Sequence, residues 1–189
     1  MKERTADRRV KYTKAMLKNA LVQLMQKQHI SKISIKELCE IADVNRSTFY
    51  AHYTDQYDLL RQIEQEVLEN FERYLEEHTL DDTHPVSEQM LTKILDYAKE
   101  DAELFKVLLS DHSDTSFQKE LMGMSQVTSF PYSEKLDART REYLKLSYIT
   151  GCVSAVQKWL QDGMIESTQY MSKLILQILY HGIMSFQEF

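Results

Sequence analysis

Apolar positions in this chain recur at helical rather than strand spacing almost from end to end. Leu17, Ala20, Leu21 and Leu24 fall at i, i+3, i+4 and i+7, which predicts a one-sided helix from about Val10 to Gln28. The polar stretch 1–9 before it reads as a loose arm. Ser34 with Glu37 three residues on is a capping box, and Ile35, Leu38, Cys39 and Ala42 are the stripe of the helix it opens. Asp43-Val44 then makes a turn, and Asn45 is a natural N-cap for a short helix of about Arg46 to Ala51. Asp55 caps a long helix, about Gln56 to His78, with Asp58 at its third position. Leu59, Ile63, Val67, Phe71 and Tyr74 or Leu75 line that helix, while Glu64, Glu66, Glu69, Glu72, Glu76 and Glu77 cover its other faces.

Past a break at Asp81 to Pro85 the pattern predicts two shorter helices, roughly Val86–Lys99 and Ala102–Ser110. Gly123 and Pro131 interrupt residues 111–136, which read as a helix followed by a loop. The last two helices, Asp137–Gln161 and Thr168–Phe186, are apolar on two sides. In the first, Leu144, Tyr148, Cys152, Ala155 and Trp159 make one stripe, and Leu146, Ile149, Val153, Val156 and Leu160 another. In the second the stripes are Met171, Leu174, Ile175 and Ile178, and Leu176, Leu179, Tyr180 and Ile183. A helix with two apolar sides must bury both. One side can face its own domain; the simplest cover for the other is the same helix pair of a second copy, a homodimer through a two-fold four-helix interface. Gly151 between Ser147 and Ser154 suits close helix approach. A single large monomeric bundle is the competing arrangement, but few other helices remain to cover both faces.

Four glycines and two prolines in 189 residues leave few backbone breakers, which agrees with an all-α fold. The expected organisation is a three-helix helix-turn-helix domain over residues 1–60 and a helical bundle over 61–189, joined inside the long helix. Charge divides along the same line. Residues 1–61 carry 12 Lys+Arg and 7 Asp+Glu, while residues 62–189 carry 11 Lys+Arg and 22 Asp+Glu. A basic head on an acidic body is the distribution of a chain that presents one face to phosphates.

The segment SIKELCEIADVNRSTFYAHY, Ser34 to Tyr53, carries the chemistry for that face. A helix that reads base edges in the major groove must be short and polar outside, with a buried side to hold its angle. Phe49 and Val44 supply the buried side; Arg46, Ser47, Thr48 and Tyr50 are the groove-facing candidates. Arg can pair with guanine through two hydrogen bonds, and Ser or Thr can reach bases or phosphates. Tyr50 and His52 can donate to phosphate oxygens, and the helix N-termini at Ser34 and Asn45 offer backbone N–H groups. Lys11 and Lys14, with Lys18, line a flank of the first helix. Such a run is commonly just a solvated face, and beside this motif it also fits a helix end laid on the DNA backbone. Singly, His52 reads as a surface histidine and Tyr53 as a core aromatic; their concentration on one short helix favours DNA.

Ile41-Ala42, Val44, Thr48-Phe49-Tyr50, His52-Tyr53 and Leu59-Leu60, in order and without gaps, resemble the DNA-binding module of the tetracycline-repressor (TetR) family of bacterial regulators across about residues 10–60. Gly151 to Gly163, with Trp159-Leu160, is similar to the ligand-binding half of a branch of that family common in low-GC Gram-positive bacteria. The resemblance implies an all-helical homodimer on a palindromic double-stranded DNA operator, with a small effector bound in the C-terminal domain that changes the spacing of two reading heads. Two positions depart from the family pattern. Asp43 stands where glycine is usual, and aspartate tolerates the left-handed conformation better than most residues. Gln56 stands where a lysine is common, which removes one phosphate contact.

The expected function is therefore a transcriptional regulator that binds DNA by sequence, a repressor released by an unidentified effector. The alternative is a regulator acting through a protein partner, as a co-activator, with weak or no DNA binding; Gln56 and the acidic body are its support. Catalysis is not expected: there is no nucleophile elbow, phosphate loop or metal spacing, and His84, His112 and His181 stand isolated. No cofactor or metal is expected either. Cys39 and Cys152 form no motif, and Cys39 reads as a buried free thiol. The N-terminus has no signal-peptide core and no apolar run approaches the ~18–20 residues of a membrane span, so a cytoplasmic location is expected. Tyr97, Phe105, Met90, Met122, Tyr148 and Trp159 are available to line an effector cavity, though such residues are core more often than pocket. An acidic body would suit a cationic ligand, while solvated glutamates explain the same charge without one.

Overall fold

The computed structural model describes residues 2–78, 87–113, 116–123 and 136–181, with backbone alone for 2–7, 75–78, 116, 122, 180 and 181. Every regular element among them is helical: α1 (Lys2–Met25), a 3-10 turn (Ile30–Lys32), α2 (Ile35–Ala42), α3 (Arg46–Tyr50), α4 (Gln56–His78), α5 (Glu88–Glu100), α6 (Ala102–Leu108), α7 (Ser116–Gly123), α8 (Ala138–Gln161) and α9 (Thr168–His181). The all-α expectation holds. The break at 81–85, the loop around Pro131, His84, and the last helix beyond His181 lie outside the described residues.

The chain forms two units, one of residues 1–67 with 110–115 and one of residues 68–109 with 116–189. The division falls inside α4, between Val67 and Leu68.

In the first unit α1 packs on α2 and α2 on α3. Leu17, Ala20, Leu21 and Leu24 of α1 are all buried, as their spacing predicts, and Met25 joins them. The helix itself starts at Lys2 rather than Val10, so the N-terminal stretch is no loose arm. Its Lys, Glu, Arg and Ala residues are strong helix formers, and propagation from an established helix adds one bond per residue. Asp55 caps α4 by accepting from the Asp58 N–H at 2.7 Å, and Asp58 reaches back to accept from the Thr54 N–H at 2.8 Å. Glu64 departs from its expected place on a solvated face: it is 4% exposed and accepts from the Ser113 hydroxyl at 3.4 Å.

Neither is His112 isolated. Its Nδ1 lies 2.7 Å from the Met25 carbonyl oxygen, which can only accept, so that nitrogen carries the hydrogen. The Ile30 N–H donates to the His112 carbonyl at 3.1 Å. Residues far along the chain thus satisfy the backbone where α1 ends.

In the second unit α5 packs on α9 and α6 on α8. Thr92 of α5 donates to Ser172 of α9 at 2.9 Å, and Ser172, fully buried, donates to the Thr168 carbonyl at 2.8 Å. Phe71 stacks on Phe105 at 5.8 Å, with Tyr97 edge-on to both. Gly163 and Met164 both take positive φ where α8 ends, at 86° and 58°. That reversal returns the Met164 N–H to the Trp159 carbonyl at 2.9 Å and lets the Trp159 indole N–H donate to the Glu166 carbonyl at 3.0 Å.

Between these helices lies a cavity of about 150 Å³. Phe71 of α4, Met90, Leu91, Ile94, Leu95 and Ala98 of α5, Phe105 and Leu109 at α6, and Phe117 and Leu121 of α7 form much of its wall. Ile149, Cys152, Val153 and Val156 of α8 and Ile175 and Leu179 of α9 also line it. Of the aromatic and Met residues available for such a wall, Met90 and Phe105 take part. Tyr97 is instead in the ring cluster, accepting from Asn70 at 2.9 Å, and Trp159 is held by the chain reversal; the Met122 side chain lies outside the described residues.

Candidate nucleic-acid interface

The turn between α2 and α3 rests on Asp43. This residue adopts φ 53°, ψ 47°, the left-handed conformation, and the Val44 N–H folds back to the Cys39 carbonyl at 3.1 Å. A non-glycine residue there costs strain that Asp and Asn bear best. The expected survival of the turn without glycine is borne out.

Upstream, Ser34 is fully engaged in its capping box. Its Oγ accepts from the Glu37 N–H at 3.2 Å, while its own N–H and hydroxyl donate to Glu37 Oε2 at 2.9 and 2.7 Å. These bonds to Ser34 hold the Glu37 carboxyl below its usual pKa. The Ser34 N–H is therefore already committed within the chain. Asn45 occupies the N-cap of α3 with extended backbone (φ −73°, ψ 148°), but its side chain makes no capping bond. Its carbonyl accepts from Thr48 and Phe49 instead, and its amide group stays exposed.

On α3 itself, burial separates two faces within one turn. Phe49 is 0% exposed, while Tyr50, the next residue, is 58% exposed. Full burial of a Phe side chain contributes roughly 1.5–3 kcal/mol, enough to set how a five-residue helix is rotated. With Phe49 inward, Arg46, Ser47 and Tyr50 are exposed and Thr48 is half-buried. Val44 is half-buried below the turn and Tyr53 is core, at 5% exposure. Phe49 meets Tyr50 edge-on at 5.5 Å and Tyr53 at 5.6 Å, and the half-buried His52 ring lies 6.3 Å from Tyr53.

Lys14 connects this helix to α1: its Nζ sits 6.0 Å from the centroid of the Tyr53 ring. Lys11 is exposed one turn earlier. Lys14 of α1, His52 and the buried Phe49 of α3 thus meet at Tyr53, whereas Ser34 stands at the other end of α2. Cys39 is a buried free thiol, as expected, pushed up in pKa by that burial.

Residues 86–181, just over half of the chain, match the TetR family model described as "Transcriptional regulator C-terminal region". The chain belongs to the TetR family of transcriptional regulators. Solved structures agree on the fold. A TetR transcriptional regulator from Streptococcus agalactiae 2603V is 22% identical, with TM-score 0.62 over 94% of this chain and 98% of that one. The fatty acid degradation regulator FadR from Bacillus halodurans is 14% identical, with TM-score 0.59 over 88% and 94%. The dihydroxyacetone kinase operon activator DhaS is 16% identical, with TM-score 0.54 over 92% and 97%. No curated protein matches in sequence.

Among the described residues of this TetR-family chain no group of His, Cys, Asp and Glu has the arrangement of a metal site. No described helix is long and apolar enough to cross a membrane. Sequence reasoning did not find the lodging of residues 110–113 in the first unit. No local pattern marks it, because its partners, Met25, Ile30 and Glu64, are 49 to 87 residues away or belong to another helix end.

Proposed function

We propose that this TetR-family regulator is a homodimeric repressor that reads a palindromic operator with α3 and releases it when a small effector enters the second unit. The observation that carries the reading is the exposed row Arg46, Ser47 and Tyr50 on a helix pinned by fully buried Phe49. Thr48 and His52 border the row, and Lys11, Lys14 and Asn45, all exposed, are the candidates for phosphate contacts in this reading. Residues 1–60 are the DNA-binding part and 61–189 the effector-binding and dimerising part.

Dimerisation is supported by apolar groups that the single chain leaves uncovered. Leu146 of α8 is 56% exposed, Tyr143 and Ile178 are also exposed, and Ser147, Gly151 and Ser154 make a strip of small, exposed residues along α8. A second copy docked there would bury both sides of α8 and place two reading heads for half-sites one helical turn, or a multiple, apart.

The direct test selects bound sites from a random duplex library and then measures affinity against salt. A palindrome should emerge, and its affinity should fall by about 10³–10⁵ between 50 and 200 mM salt if six to ten phosphates are contacted. Failure to enrich any site, with a stable protein partner recovered instead, would favour the co-activator alternative. Since DhaS is named an activator, the sign of control is read by placing the selected site upstream of a reporter gene; repression is expected.

A further inference from the structure

The cavity of the second unit selects for a class of effector, and this deepening rests on the regulator reading above. Its wall is built from aliphatic and aromatic side chains together with Met90 and Cys152. Burial pushes the Cys152 thiol up to about 11, so at neutral pH even its most polar group is uncharged. Among the described residues, no Asp, Glu, Lys, Arg or His is part of the wall. A charged ligand placed there would lose its hydration with nothing to replace it, a cost of several kcal/mol or more. The acidic balance of residues 62–189 therefore does not put a cation site in this wall: none of its described carboxylates is among the lining residues.

Volume narrows the class further. A cavity near 150 Å³ lined by Leu, Ile and Phe stays dry and accommodates a ligand of about benzene's bulk. We infer that the effector of this regulator places a compact, uncharged hydrocarbon body, one ring or a short aliphatic chain, inside the α5–α9 cavity. Leu109 and Phe117, two wall residues, bracket along the chain the stretch 110–115 that belongs to the first unit. Within that stretch His112 is bonded to Met25 and Ile30. An occupant that shifts Leu109 or Phe117 acts on both ends of a covalent tether into the DNA-reading unit, and it can bias the head only by its difference in affinity for the two arrangements.

The test uses the full chain with p-xylene, n-hexane and benzylammonium, the last supplying a ring that bears a charge. At a hundredfold excess over Kd, either hydrocarbon should raise Tm by roughly 5–10 °C, and benzylammonium should not. Alkylation of Cys152, followed by peptide mass, should slow about a hundredfold under the same saturation. Val156→Phe, which fills the cavity, should abolish both effects; Ala98→Leu serves should that variant not fold. No shift with either hydrocarbon, an equal shift with benzylammonium, or an undiminished shift in the filled variant would overturn the inference. Saturation that leaves operator affinity unchanged would also overturn it, because the occupant would then not be an effector. Failure of the untreated protein to bind any selected site is a separate result that sinks the regulator reading and is scored without any ligand present.

Discussion

The ammonium group of Lys14 on α1 lies over the ring of Tyr53, 6.0 Å from its centroid, and Tyr53 in turn packs against Phe49 of α3. One lysine thereby serves two ends: its charge is held at the edge of the candidate interface, and its position ties the first helix to the third. Replacing Lys14 by Ala should cost about 0.5–1 kcal/mol of stability from the lost ring contact. If Lys14 meets a phosphate, the same change lowers the slope of log affinity against log salt by about 1, equally for all DNA sequences. Denaturant titration and binding at several salt concentrations read the two effects separately.

Arg46 is exposed at the first position of α3. Arg46→Ala should weaken binding to the selected operator by roughly 1–3 kcal/mol and relax the preference at one base position. A uniform loss over all sequences, with the base preference intact, would make Arg46 a phosphate contact. Repeating the site selection with the variant distinguishes the two.

Asp43 is in the left-handed region, where side chains branched at Cβ suffer most. Asp43→Val should destabilise the protein by about 1–2 kcal/mol, while Asp43→Gly should be neutral or stabilising. Urea midpoints of the two variants, measured with unchanged m-values, give the comparison.

Two carboxylates that close helix N-termini should titrate low. Hydrogen bonds from Ser34 hold Glu37 below its usual pKa, and the Thr54 N–H, with Gln62, the Thr54 hydroxyl and Arg61, does the same for Asp58. A depressed folded pKa contributes stability that is complete above the unfolded value and fades as pH falls through the folded one. Both carboxylates are half-buried at the surface and reached by solvent, so the effect on global stability should be small and confined to the acid limb. Carboxyl chemical shifts followed by NMR from pH 7 downward should show Glu37 and Asp58 protonating after the ordinary surface carboxylates; Ser34→Ala should return Glu37 toward its usual range.

Leu146 is more than half exposed on α8 and forms part of the proposed two-fold contact. Leu146→Glu places like charges across a symmetric interface, so sedimentation at micromolar concentration should show the wild type as a dimer and the variant as a monomer. A wild type that sediments as a monomer would remove the basis for reading a palindrome.

Local signals were strong in the first third of the chain. The Ser34–Glu37 box, the Asp43 turn and the Asp55–Asp58 cap all depend on groups within four residues, so their chemistry is written in adjacent positions. Helical periodicity was equally readable in α1 and α4, because one face of each is buried against a neighbour. What periodicity could not reveal was identity of environment. Glu64 sits on a helix studded with glutamates, and only the packing of residues 110–113 distinguishes it from the others by burying it.

By itself, the sequence determined that the chain is helical, where the capped helices α2, α3 and α4 begin, and that a short polar helix with one deep Phe follows a tight turn. Capping and side-chain periodicity act over a few residues, so they survive in a one-dimensional reading. Tertiary structure decided which of the many apolar residues enclose a cavity rather than fill a core, that the described residues of its wall bear no charge, and that His112 satisfies the backbone where α1 ends. Those outcomes depend on which surfaces meet after the chain folds back on itself, and apolar burial, being non-directional, leaves no mark in the order of residues that says which partner each will find.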